Sequence, residues 1–458
     1  MNASSNDDNS TPKATSKNVG LGAFIAKLEY FWLVKLFAGS FVAGIISKLL
    51  IFVMTIILAR QLTPQGYGEF TFIMGIAVIG AQIIALGLPT LMTRLVPTYK
   101  IKENWQKLRG IIHWSDSVIF LVFIVISFLI AGIAFLPIVN GDIKTGLLVS
   151  LLLLLPIAFN QLRRHQLAGI RRAPMGIMLD QGIAAIGVIF FAIIFGFSSA
   201  LIAIVVFAIG SVISALFGSF YFHIKLPAKV WLAKPLFEPK IWIMLAMPLM
   251  LGISTKLLMD RMDILMLGPM VGFFETGYYG AAFRLTYLLT FPQVMIMAII
   301  TPLLSENIAN GQIKKVWKFF WIAIILAVIS VIPVGLISIM FNEQIITLIF
   351  GVQYSASASI FTLLIIAQIF TAFAIPCSGL LIASGKGKLF GSINLIALII
   401  NVGLNFIFIP QFGAIGAAIT TIIGTAFILC AQALFIWINR NKYFLIQDNR
   451  KKATLKSE

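Results

Sequence analysis

Runs of about twenty consecutive apolar residues recur along this chain between residues 36 and 438. Each is long enough to cross about 30 Å of hydrocarbon as a helix rising 1.5 Å per residue. Lipid offers no partner to backbone N–H and C=O groups, so a spanning run has to pair them within itself, as a helix. The strand-length alternation of a β-barrel is absent. Spans are expected at about 36–59, 71–93, 111–136, 146–164, 174–196, 199–222, 242–267, 277–303, 319–341, 357–383, 389–409 and 414–438. The chain therefore reads as an all-α integral membrane protein with about 12 transmembrane helices.

Composition agrees: 60% of the 458 residues are hydrophobic and only 11% are charged. The net charge of +18 would suggest nucleic acid in a soluble protein. Here its distribution points to a membrane orientation and to no nucleic-acid partner. With the last turn of each span counted to its loop, 28 of the 34 Lys and Arg fall in alternate segments on one side. Only Arg60 and Lys144 fall on the other, and four lie inside spans. By the positive-inside bias both termini are expected in the cytoplasm of a multi-pass protein of the cell (inner) membrane. The start of the chain lacks the pattern of a cleaved signal peptide.

An internal repeat divides the spans. Gly44-Ile45-Ile46-Ser47-Lys48-Leu49-Leu50 in the first resembles Gly252-Ile253-Ser254-Thr255-Lys256-Leu257-Leu258 in the seventh, 208 residues on. Gly66-Tyr67-Gly68 and Gly277-Tyr278-Tyr279-Gly280 follow in their respective halves. Two six-helix halves of the same orientation result, pseudo-symmetric about an axis along the membrane normal. The expected organisation is a disordered or interfacial cytoplasmic N-terminus at 1–34 and an N-terminal six-helix lobe at 35–222. An interfacial linker at 223–241, a C-terminal six-helix lobe at 242–438 and a basic cytoplasmic tail at 439–458 complete it.

Catalytic chemistry is hard to place. His113, His165 and His223 have no metal-ligand partner at helical spacing, and Gly385-Lys386-Gly387-Lys388 lacks the spacing and hydroxyl of a P-loop. The outer loops are short, with no room for an extramembrane catalytic domain. Cys377 and Cys430 sit in apolar runs and read as unpaired thiols. No cofactor, metal or enzyme activity is expected, and transport is favoured over a membrane glycosyltransferase or polymerase.

Ionisable residues inside spans are costly in lipid, so each is a functional candidate. They are Lys48, Asp116, Asp180, Lys256, Asp260, Arg261, Asp263 and Arg284. Lys256, Asp260 and Asp263 are spaced to share one helix face, with Arg261 about 100° from Asp260. Two readings stand open. The charges neutralise one another, Lys256 with Asp260 and Arg284 with Asp263, or the bases hold an anionic ligand such as a phosphate. Lys48 favours the second, since its span holds no acid. Pro156, Pro248, Pro292, Pro333 and Pro376 also fall in spans and permit kinks, as hinges or as static bends.

The stretch LARQLTPQGYGEFTFIMGIAVIGAQIIALGLPTLMTRLVPTY at 58–99 closely resembles the polysaccharide transporters, the O-antigen flippase family of the MOP superfamily. In the second half, Asp263-Ile264-Leu265-Met266-Leu267-Gly268 and Gly277-Tyr278-Tyr279-Gly280-Ala281-Ala282-Phe283-Arg284 agree. The likeness runs from about residue 36 to 438. It implies a MATE/MOP-like fold and a flippase that moves a polyprenyl-pyrophosphate-linked oligosaccharide from the cytoplasmic to the outer leaflet by alternating access. The cargo would be an O-antigen, capsule or exopolysaccharide repeat unit. The resemblance implies membrane lipids, a polysaccharide polymerase and chain-length machinery as partners. Lys48, Lys256, Arg261 and Arg284 would hold the headgroup, with Arg94 at the entrance. Asp260 and Asp263 would pair with those bases or take part in proton or sodium coupling. The alternative is a cation or drug antiporter of the same fold, which would want an acidic cavity. The related lipid II flippases usually carry two further helices, for which no room is found after residue 438.

Overall fold

A computed structural model describes the backbone of residues 16–137 and 139–440. It describes the side chains of 38–137, 139–247, 250, 255 and 257–440. Residues 1–15 and 441–458, which hold the start of the expected N-terminal segment and nearly all of the basic tail, lie outside the described residues. Every regular element described is a helix.

The first half runs α1 (Ser16–Gln61), α2 (Pro64–Ala85), α3 (Leu88–Ile101), α4 (Trp105–Ala134), α5 (Gly141–Gly169), α6 (Ala173–Ile177), α7 (Ile183–Ile194) and α8 (Ala200–Lys225). A π-turn, Met178–Gly182, joins α6 to α7 within one span. The short α9 (Ala228–Leu232) follows. The second half runs α10 (Pro239–Val271), α11 (Phe273–Ala309), α12 (Ile313–Met340), α13 (Asn342–Phe350), α14 (Ser357–Ala383) and α15 (Gly387–Asn439).

Among the described residues ten helices are long and apolar enough to cross a membrane. One of them, α15, is 53 residues long and breaks at Gly413, whose φ of 58° and ψ of −136° are not helical. Glu275 of α11 accepts a hydrogen bond from the Ala414 N–H at 2.8 Å, so an acid from another helix caps the restart. The two parts match the spans expected at 389–409 and 414–438. Helix α10, at 33 residues, extends about 50 Å at 1.5 Å per residue, long enough for a further crossing.

Two expectations change. The span at 71–93 is not one helix: Leu86 and Gly87 are both left-handed, at φ 48° and 73°. Pro89 then opens α3 where a proline's missing N–H costs nothing. A Cβ at Gly87 would lie 2.6 Å from the Ala246 carbonyl oxygen, so α10 passes against this break. Helix α1 is continuous from Ser16, so part of the N-terminus expected at 1–34 belongs to the first helix.

The segment after α8 is tied to α4. Arg109 donates to the carbonyls of Trp231 and Ala233, Lys107 pairs with Glu238 at 2.6 Å, and the Leu236 N–H bonds the Gln106 carbonyl.

The halves meet most closely where α2 and α11 begin. A Cβ on Gly68 would overlap the carbonyl oxygen of Phe273, and a Cβ on Gly277 would overlap that of Pro64. The relation is reciprocal: Gly68 stands to Gly277 as Pro64 stands to Phe273, each pair 209 apart (277 − 68; 273 − 64). A pseudo-two-fold axis between two copies of one unit produces this pattern. The same end carries a second reciprocal contact. Arg60, at the end of α1, donates to the Leu348 and Ile349 carbonyls near the end of α13. Gln353, just beyond α13, donates to the Ala59 and Leu62 carbonyls near the end of α1. Each helix terminus receives its missing donor from the other half. Tyr354 fills the space between, edge-on to both Tyr67 and Tyr278.

Candidate functional site

Beyond this sealed end α2 and α11 separate around a cavity of about 250 Å³ lined from α1, α2, α5, the π-turn, α10 and α11. Four of the sequence-stretch candidates line it together: Lys48, Asp260, Arg261 and Arg284. Their elements dictate the meeting. Lys48 lies midway along the apolar part of α1, Asp260 and Arg261 are neighbours on α10, and Arg284 follows three turns into α11. Lys48 Nζ lies over the ring of Tyr287 of α11, 5.2 Å from its centre, so a cation of one half rests on an aromatic face of the other.

Among the described residues the ion pairs are Lys107–Glu238, Arg163–Asp116 and Arg164–Asp180. None involves Lys48, Arg261 or Arg284. Three cations thus converge on a space to which the described lining brings one carboxylate, Asp260. Bases held in a partly desolvated cavity favour an anionic guest, and guanidinium groups favour a phosphate.

The structure places three groups of the charged candidates elsewhere. Asp263 does not pair with Arg284 and does not line the cavity. It is 6% exposed, and its carboxylate accepts hydrogen bonds from Tyr279 Oη at 2.6 Å, Asn405 Nδ2 at 2.7 Å and Thr421 Oγ1 at 2.5 Å. Asn405 connects onward to Asn401 and Thr420. From Asp260, Arg261 lies about 100° one way round the helix and Asp263 about 60° the other way. The cavity lies on the Leu257–Arg261 side, which carries Asp263 away toward α11 and α15. Arg94 is exposed on α3 and outside the cavity lining. Asp116 and Asp180 are bound within the first half, at 2.9 Å to Arg163 and 2.6 Å to Arg164. Lys256 lies in α10, its side chain outside the described residues.

The cavity also holds residues that the search for charges passed over: Gln82, Gln161, Gln181 and Tyr287. A glutamine within an apolar run was the signal that could have found them. The same holds for Asn401, Asn405 and Thr421 around Asp263.

Elsewhere the histidines have local roles. Thr93 Oγ1 lies 2.9 Å from His165 Nδ1, Arg109 Nε bonds His113 Nε2, and His223 stacks on Trp231. Among the described residues no group of three His, Cys, Asp or Glu could hold a metal ion, and Cys377 and Cys430 are free thiols.

The helices define an all-α membrane protein, and its fold is shared with a solved transporter of the MOP superfamily. A multidrug resistance MATE family transporter in an inward-facing conformation superimposes with a TM-score of 0.73 at 16% identity, over 88% of this chain and 96% of that one. The lipid II flippase MurJ, in an inward closed conformation, gives a TM-score of 0.68 at 16% identity over 89% of each chain. The chain itself belongs to the polysaccharide biosynthesis protein family, whose pattern it matches over residues 33–308. Residues 248–407 also match the MatE family. A capsular polysaccharide biosynthesis protein of Staphylococcus aureus, CapF, is 26% identical over 405 residues, covering 85% of this chain and 95% of the relative.

Proposed function

We propose that this protein is a flippase for a lipid-linked oligosaccharide, carrying the pyrophosphate end of a polyprenyl-linked glycan through the cavity while the lipid tail stays in the bilayer. The observation that carries the reading is the convergence of Lys48, Arg261 and Arg284, from both halves, on one cavity. Membership of a polysaccharide biosynthesis family and the shared fold of a lipid II flippase support it. The excess of cations argues against an exporter of organic cations, the other activity associated with this fold.

In this reading the Gly68–Gly277 crossing closes the outer, lysine-poor end, and substrate enters from the cytoplasmic leaflet. The Asp263 cluster is the coupling site. An ionised carboxylate there is surrounded by neutral donors, so a buried negative charge remains for a proton or sodium ion to neutralise.

The test is translocation in liposomes. Purified protein should expose a labelled polyprenyl-pyrophosphate oligosaccharide in the opposite leaflet. Lys48→Ala and Arg284→Ala should each slow this at least tenfold with the fold intact, as expected for losing a charge-assisted phosphate contact worth about 1.5–3 kcal/mol. A preparation that moves organic cations but no glycolipid would overturn the proposal.

A further inference from the structure

We infer that Gln82, Gln161 and Gln181 form a subsite for the uncharged, hydroxyl-rich sugar next to the phosphates, opposite the arginines, and that the π-turn between α6 and α7 sets Gln181 in place for it. This rests on the flippase reading and adds which wall of the cavity reads the glycan.

The cavity's arginines and its glutamines stand on different halves, with Lys48 of α1 reaching across to Tyr287. Arg261 and Arg284 come from α10 and α11, while the three glutamines come from α2, α5 and the π-turn. A carboxamide presents two donors and an acceptor with two lone pairs. That suits sugar hydroxyls, which both donate and accept, and the acetamido group of an amino sugar. Phosphate oxygens only accept, and the cations serve them better. All three glutamines are half-buried, yet none is hydrogen-bonded to another described residue. Partly desolvated amides without protein partners need them from water or a guest.

The backbone at Gln181 adds an independent observation. Met178–Gly182 is a π-turn inside a membrane span. The extra residue of such a turn rotates the register by about 100° relative to a regular helix, and π-turns concentrate at functional sites. This one is braced from two neighbouring helices. Ser214 of α8 donates to the Leu179 carbonyl, and Asp180 pairs with Arg164 of α5 at 2.6 Å. Gln181 follows directly and lines the cavity. The neighbouring acid is spent on holding the turn, and the neutral amide faces the guest.

The experiment measures binding of two probes to the full-length protein in nanodiscs: a bare polyprenyl pyrophosphate, and the same lipid bearing one neutral hexose or N-acetylhexosamine. The wild type should bind the sugar-bearing probe more tightly. Gln181→Leu and Gln161→Leu should each reduce that advantage by about three- to tenfold, as for one lost neutral hydrogen bond. Affinity for the bare lipid should stay unchanged, which also reports an intact fold. Gln181→Asn, which keeps the amide on a shorter stem, should recover part of the advantage. Arg284→Gln should weaken both probes equally. If the leucine variants shift both probes together, or neither, the glutamine subsite is wrong. If Arg284→Gln leaves the bare lipid unaffected, the flippase reading itself fails.

Discussion

Asp263 shows how much a single residue's surroundings decide. It sits three residues from Asp260 on the same helix, yet Asp260 lines the cavity and Asp263 is enclosed by Tyr279, Asn405 and Thr421. Substitution separates its charge from its packing. Asp263→Asn removes the charge at nearly constant shape, with hydroxyl neighbours that can turn to suit. Transport by this variant should lose its response to a sodium or proton gradient while the melting temperature in detergent changes little. Asp263→Ala takes their shared acceptor from three buried donors and should cost about 1–3 kcal/mol of stability, read as a clear fall in melting temperature. Gradient dependence that survives in the asparagine variant would place the coupling elsewhere. The sequence marked Asp263 as unusual because an acid in an apolar run is visible on inspection. It could not show which way the residue turned, because the partners lie on α11 and α15, up to 158 positions away.

At the scale of elements, regular helix was the legible part and its interruptions were not. Apolar runs located most of the long helices, and the repeat of Gly-x-x-x-Lys-Leu-Leu pointed to two related halves. The breaks at Leu86–Gly87 and Met178–Gly182 left no such mark, since a backbone departure inside an apolar run leaves hydropathy unchanged. Glycine was the partial exception. Gly68 and Gly277 stood out as paired motifs, and the structure gives the reason: each lets the partner helix's carbonyl approach where a methyl group cannot fit. Gly68→Ala or Gly277→Ala should therefore push α2 and α11 apart and cost about 1–3 kcal/mol. Thermal unfolding checks this, with Gly132→Ala as the control, because a Cβ there meets nothing within 4 Å.

The whole molecule is two bundles closed against each other at one end and parted around a cationic cavity. Of the site, the sequence disclosed the charges, which stand out against apolar neighbours, but not the neutral amides, which do so less. The reciprocal capping by Arg60 and Gln353 was invisible, since it joins backbone carbonyls to side chains almost 300 positions away. Arg60→Ala removes two of its bonds and should loosen the closed end. Spin labels at Gln65 on α2 and Phe274 on α11, with Cys377 and Cys430 replaced by serine, should report a larger population at long distance than in the parent. An unchanged distance distribution would show that the glycine crossing closes the end unaided.

At that crossing main chain meets main chain, Gly68 against the Phe273 carbonyl and Gly277 against that of Pro64. Side chains that interlock must find new rotamers whenever an interface parts and re-forms, and each search slows the return. Two bare backbones have no rotamers to search. In the proposed transport cycle this end opens and shuts, and there the two halves can separate and meet again with the least memory of having moved.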